Sequence, residues 1–134
     1  MLPSFDEYGN LPPGIHSASL EEVIDRFGHG SVEREVESRE LVELTGWARQ
    51  HRVRRLIVNG SFVTNKRQPN DVDIVLLPAF STTGEDAMID LEPSAWPFLQ
   101  ILVAADEADL ESWANADFGT DREGRPKGVV EVIL

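Results

Sequence analysis

The feature that most constrains this chain is a pair of short apolar runs, Leu56-Ile57-Val58 and Val72-Asp73-Ile74-Val75-Leu76-Leu77, with a carboxylate inside the second. β-branched runs of this length, bounded by polar turns, read as buried strands. Aspartate is depleted within strands, so Asp73 needs an explanation. Asp71 stands two positions earlier, and the alternation of side chains along a strand puts Asp71 and Asp73 on one face. Two carboxylates so placed repel each other unless a cation lies between them. Oxygen donors of this kind select Mg²⁺ or Mn²⁺ over thiophilic metals. The first strand runs into Gly60-Ser61. A glycine there lets backbone approach a phosphate closely, and the Ser61 hydroxyl and nearby amides can donate to its oxygens. Lys66 and Arg67, in the loop between the strands, are placed either to neutralise pyrophosphate or simply to solvate the loop. The plainer alternative makes Asp71 and Asp73 turn and edge-strand residues.

Around this centre the remaining elements read as α+β, with N-terminal helices packed on a small mixed β-sheet. Residues 1–18, with Leu11-Pro12-Pro13-Gly14-Ile15-His16, read as an irregular lead-in. Ser19-Leu20-Glu21-Glu22 is a capping-box pattern that opens a short helix ending at Gly28-His29-Gly30. Ser31 caps a longer helix to about His51, with Val32, Val36, Leu41, Leu44, Trp47 and Ala48 as its apolar positions. A helical turn is expected around Glu85–Leu91, a third strand over Phe98–Ala104, a short helix over Glu107–Ala116 and a last strand over Gly128–Leu134. One domain spanning residues 1–134 is expected at this length.

Charge divides the chain further. It has 24 acidic and 12 basic side chains, for a formal net charge of -12. Residues 44–70 nevertheless hold six bases and no acid, and residues 71–121 hold twelve acids and no base. A basic wall beside an acidic pocket suits a metal-bound polyphosphate, although cations at Arg49, Arg52, Arg54 and Arg55 also complement the end of the preceding helix. The overall negative charge argues against autonomous tight binding of DNA. With no cysteine, disulfides and thiolate metal sites are excluded and a reducing cytoplasm fits. The N-terminus lacks the pattern of a secretory signal, and no apolar run is long enough for a membrane span, so a soluble cytoplasmic protein with no membrane partner is expected. His16, His29 and His51 show no metal-ligand spacing, and Lys127, between Pro126 and Gly128, reads as a turn residue.

The ordered pattern of a strand, Gly60-Ser61, nine residues, then Asp71-Val72-Asp73 opening another strand resembles the signature of the polymerase-β-type nucleotidyltransferase superfamily in its minimal bacterial form. The likeness is clearest over residues 54–77. The segments Leu11-Pro12-Pro13-Gly14-Ile15-His16, Gly60-Ser61-Phe62-Val63-Thr64 and Gly119-Thr120-Asp121-Arg122 also resemble a family of short, uncharacterised bacterial proteins related to it. The superfamily resemblance implies a nucleotidyltransferase-like fold in which Asp71 and Asp73 hold divalent cations, Mg²⁺ or Mn²⁺. Gly60 and Ser61, with Lys66 and Arg67, would bind a nucleoside triphosphate. The implied reaction is in-line displacement at the α-phosphate, moving a nucleoside monophosphate onto a hydroxyl of a protein, an RNA or a small molecule. Minimal members form halves of toxin–antitoxin or defence pairs, so a partner protein, tRNA or a homodimer is expected on the acceptor side. One departure stands out: the third strand contains no carboxylate. Asp106, just past its end, is the preferred third catalytic acid and Glu131 the other candidate. Without a third acid, the chain reads as an inactive nucleotide-binding or regulatory module of the antitoxin kind.

Overall fold

The computed structural model describes residues 2–79, 91–117 and 119–134. Strand β1 (Gly14–Ala18) is followed by helices α1 (Leu20–Phe27) and α2 (Val32–Gln50), then β2 (Arg55–Asn59) and a 3₁₀ turn at Ser61–Val63. Next come β3 (Val72–Leu77), a 3₁₀ turn at Pro93–Ala95 and β4 (Leu99–Val103). Helix α3 (Glu107–Ser112) runs on into a wider turn at Trp113–Asp117, and β5 (Gly128–Val132) closes the sheet. The expected turn around Glu85–Leu91 lies, apart from Leu91, outside the described residues.

The five strands form one mixed sheet in the order β1-β5-β2-β3-β4. The pairs β1–β5 and β3–β4 are parallel, while β5–β2 and β2–β3 are antiparallel. The architecture is therefore α+β, as the sequence reads, with one correction: the lead-in is not irregular throughout. Gly14–Ala18 adds a strand alongside β5. Its composition, with Gly14, His16 and Ser17, carries no strand signal of its own; the edge of β5 supplies the hydrogen bonds that order it. Packing also fixes its entry, because a Cβ at Gly128 would lie 2.1 Å from the Pro12 carbonyl oxygen.

Strand alternation divides the core into two layers. Leu56, Val58, Val72, Ile74, Leu76, Val130 and Val132 face Val23 and Phe27 of α1 and Leu41, Leu44 and Ala48 of α2. On the other face Ile57, Val75, Leu77 and Val129 meet Leu110 and Ala114. Caps form as expected at both early helices: Ser19 Oγ accepts from the Glu22 amide at 3.1 Å, and Ser31 Oγ from the Arg34 amide at 3.2 Å. Glu22 also accepts from the Leu2 amide at 2.5 Å, tying the lead-in to α1.

Helix α2 departs from the expected apolar stripe. Val32 is 69% exposed, and the buried face of the first half is made of Arg34, Glu37, Ser38 and Glu40. Loop backbone satisfies two of these residues: Arg34 donates to the Phe62 and Thr64 carbonyls, and Glu40 accepts from the Phe98 amide at 3.0 Å.

Candidate functional site

The antiparallel pairing of β2 and β3 places Asn59 opposite Asp73, so Gly60 emerges beside the start of β3. Gly60 has φ 87°, a left-handed conformation that favours glycine. A Cβ there would sit 2.8 Å from Asp73 Oδ2, so the site forbids a side chain twice over. Asp71, Asp73, Gly60, Ser61 and Lys66 all line one cleft of about 540 Å³, within the size range of small-ligand sites. The structure thus brings together five of the residues singled out by the sequence. It does not bring in Arg67, which is exposed and outside the cleft lining.

Asp106 is also elsewhere. Because β4 runs parallel to β3, with Leu99 opposite Val72 and Val103 opposite Leu76, a residue beyond the end of β4 lies at the far end of the sheet from Asp71. Strand rise alone separates it from Asp73 by roughly 13 Å or more. There Asp106 caps α3, its Oδ1 accepting from the Asp109 amide at 2.8 Å. Glu131 shares the sheet face of Asp73, but it pairs with Ile57, two strands across and one pleat further along. Arg55 holds it there through two nitrogens at 2.7 and 2.8 Å. The position beside Asp73 on β4 is Gln100, an exposed amide.

The loop from Gly60 to Lys66 owes its shape to Arg34, a residue the sequence reading passed over. Its guanidinium is buried and donates to the carbonyls of Phe27 (3.0 Å), Phe62 (2.7 Å), Thr64 (2.8 Å) and Lys66 (2.5 Å). Such charge-assisted bonds are among the stronger ones a loop can have. The loop amides are largely committed as well: Val63 donates to Gly60 O, Thr64 to Ser61 O, Asn65 to Gly9 O and Lys66 to Thr64 Oγ1. The amides of residues 63–66 are thus committed within the protein, and the Ser61 hydroxyl and Lys66 ammonium stand on this wall as side-chain donors. Beside Arg34, Glu37 is 1% exposed with neither carboxylate oxygen hydrogen-bonded. Burial pushes its carboxyl up to about 7, against the pull of Arg34 and with help from Asp71, Glu33 and Glu40.

The opposite wall comes from two segments far apart in sequence. Thr120 and Pro126 bridge a hairpin whose Asp121 accepts from Asn10 Nδ2 (3.1 Å) and from Arg125 Nε (2.9 Å). Burial works against the Asp121 charge, but the Arg125 amide, Asn10 and the Arg125 guanidinium together hold its carboxyl below the ordinary range. Lys127, expected to be a plain turn residue, lines the cleft next to Asp73 and Asp121. Burial lowers its ammonium, opposed by those two carboxylates. Asp73 shifts upward, through burial first and the Asp71 charge second, with Lys127 opposing. The missed signal for Lys127 was positional: it immediately precedes β5, the strand that flanks β2. Four acids and four bases line the cleft, so this region is near neutral in a chain of net charge -12.

Asp73 on β3 and Asp71 just before it both line this polar cleft, and carboxylate oxygens are the donor type that Mg²⁺ or Mn²⁺ takes. Among the described residues no group of three or more His, Asp or Glu side chains comes together for a metal.

Among the described residues no helix is long and apolar enough to cross a membrane. No curated protein and no solved structure matches the chain. The model of a protein family, described as a family of unknown function (DUF6932), matches residues 3–133, which takes in the lead-in, the Gly60–Asp73 loop and the Gly119–Lys127 hairpin alike. The chain belongs to that family.

Proposed function

We propose that this protein is a metal-dependent nucleotidyltransferase of the polymerase-β type, which moves a nucleoside monophosphate from a nucleoside triphosphate to a hydroxyl on a protein, an RNA or a small molecule. The observation that carries the reading is the meeting of Asp71 and Asp73 with Gly60 and Ser61 in one cleft, with Gly60 pressed against the Asp73 carboxylate. In this reading Asp71 and Asp73 hold the divalent cation, which, when bound, withdraws charge from the phosphates and from the attacking oxygen. Ser61 donates to a phosphate oxygen, and Lys66 and Lys127 offset the negative charge of the pyrophosphate. Arg34 keeps the loop that carries Ser61 and Lys66 in a single shape before the ligand arrives, lowering the ordering cost of binding. The acceptor hydroxyl oxygen bonds to the α-phosphorus and gives up its proton to solvent, while the bond from the α-phosphorus to the bridging oxygen breaks and pyrophosphate departs with that oxygen. The acceptor is presented by a partner, such as a neighbouring toxin–antitoxin or defence protein, a tRNA or a second copy. A cysteine-free chain suits work in a reducing cytoplasm.

One observation favours a second reading, a nucleotide-binding regulatory module without turnover: Asp106 and Glu131 are both committed elsewhere, and no three acids among the described residues come together as a metal-holding group. Calorimetric titration with ATP, with and without Mg²⁺, tests the binding common to both. Metal-dependent binding lost in Asp71→Asn and Asp73→Asn supports them, whereas binding indifferent to metal and to both substitutions overturns them. Labelled nucleotide appearing on a co-expressed neighbour protein or on tRNA separates the enzyme from the module.

A further inference from the structure

Tyr8 is a large aromatic side chain that lines the cleft yet remains 51% exposed, and it takes no part in either core layer. Its backbone is held rigidly. Asp6 Oδ1 accepts from the amides of Tyr8 (2.9 Å) and Asn10 (3.0 Å), and Gly9 is fixed from outside by the Asn65 amide donating to its carbonyl at 2.9 Å. The ring is held as well. The Arg125 guanidinium carbon lies 4.1 Å from its centroid, and Arg125 is itself anchored by Asp121 at 2.9 Å and Glu123 at 3.0 Å. An exposed ring presented this firmly, with a cation over it, loses little conformational freedom when a second planar group stacks on it.

We infer that Tyr8, backed by Arg125, is the stacking platform for the base of a nucleoside triphosphate whose phosphates lie toward Gly60, Ser61 and Lys66. This inference rests on the reading of the cleft as a triphosphate site and adds where the base goes and why a nucleotide is preferred to bare polyphosphate. Stacking is tolerant of base identity because every base offers a π face, and the larger purines gain more than pyrimidines.

The experiment compares ATP with inorganic tripolyphosphate, both with Mg²⁺, on the full chain by calorimetry. In the wild type ATP binds more tightly than tripolyphosphate. Tyr8→Ala weakens ATP about tenfold and leaves tripolyphosphate unchanged, while Tyr8→Phe keeps the ATP affinity within about twofold. Equal affinity of the wild type for both ligands, or an ATP affinity that Tyr8→Ala leaves intact, overturns the platform and spares the phosphate site. Parallel loss of both ligands in Tyr8→Ala also overturns it, by making Tyr8 a support of the cleft wall. Failure of the wild type to bind either ligand removes the triphosphate reading and the platform with it.

Discussion

At one end of the sheet, Arg55 grips Glu131 through two nitrogens and Glu107 through a third at 2.8 Å, and Arg54 adds a contact to Glu107 at 3.4 Å. At the other end Asp71, Asp73, Lys66 and Lys127 line an open cleft, and no salt bridge among the described residues joins them. The same side-chain types thus serve opposite purposes on one sheet. The first set is mutually satisfied: the Glu131 and Glu107 hydrogen bonds raise Arg55 well above its ordinary value, because each stabilises the charged form. The second set is frustrated: Asp73 shifts upward through burial and the neighbouring Asp71. Charges that neutralise each other hold a fold, whereas like charges held together in a cleft mark a candidate ligand site.

The strongest way to break this comparison is to exchange the roles of its two ends. On the proposed nucleotidyltransferase reading, Asp73→Asn is expected to cut nucleotide transfer by at least about a hundredfold, since a cation held by Asp71 and Asp73 would lose one of its two protein ligands. Asp106→Asn is expected to stay within about twofold of the wild type, because that carboxylate serves the α3 cap at the other end of the sheet. Incorporation of labelled nucleotide measures both. An Asp106→Asn defect as large as that of Asp73→Asn would mean that the two ends act together.

Stability should show the reverse pattern. Arg55→Ala leaves Glu131, 20% exposed, without its partner. A loss of about 2–3 kcal/mol is expected in denaturant unfolding, below the range for fully buried pairs because water reaches both groups. Mg²⁺–ATP affinity should not move.

Behind the open end, coupled to Arg34 and Asp71, lies a third kind of charge. Glu37 is neither paired nor open to ligand, and burial raises its carboxyl from 4.5 to about 7. The folded state therefore holds this proton more tightly than the unfolded chain. Its stabilising effect is complete below about pH 4.5 and is lost as pH rises through about 7, so stability should decline across that window. Glu37→Gln should flatten the decline and raise stability at pH 8 by about 1–2 kcal/mol, read from urea midpoints at pH 5 and pH 8.

Legibility in the sequence followed the range of the interaction responsible. The strands β2 and β3, the caps at Ser19 and Ser31 and the meeting of Gly60, Ser61, Asp71 and Asp73 all rest on local pattern, and all were readable. What escaped depends on pairing between distant segments. β1 is a strand because β5 offers it an edge, and Arg34 is buried because loop carbonyls need a donor. Asp106 is distant because β4 runs parallel to β3, and strand direction leaves no mark in composition. Lys127 belongs with these, since its place depends on β5 lying next to β2.

Lys127 gives the finest test of the open end. Its ammonium is drawn in by Asp73 and Asp121 against the cost of burial, so in the free protein it partly offsets the very carboxylates that would hold a cation. Two consequences pull in opposite directions. Lys127→Met removes a competitor for the Asp71/Asp73 pair, which should tighten binding of Mn²⁺ alone. It also removes a positive charge from the wall that, on the proposed reading, faces the phosphates, which should weaken Mg²⁺–ATP. At a partly solvated site each effect is worth about 1 kcal/mol, or roughly fivefold. Measured by calorimetry, the two ligands should therefore respond with opposite sign in the same variant. A shift in the same direction for both would place Lys127 outside the phosphate site and leave it a structural counter-charge to Asp73, like Arg55 to Glu131 at the closed end.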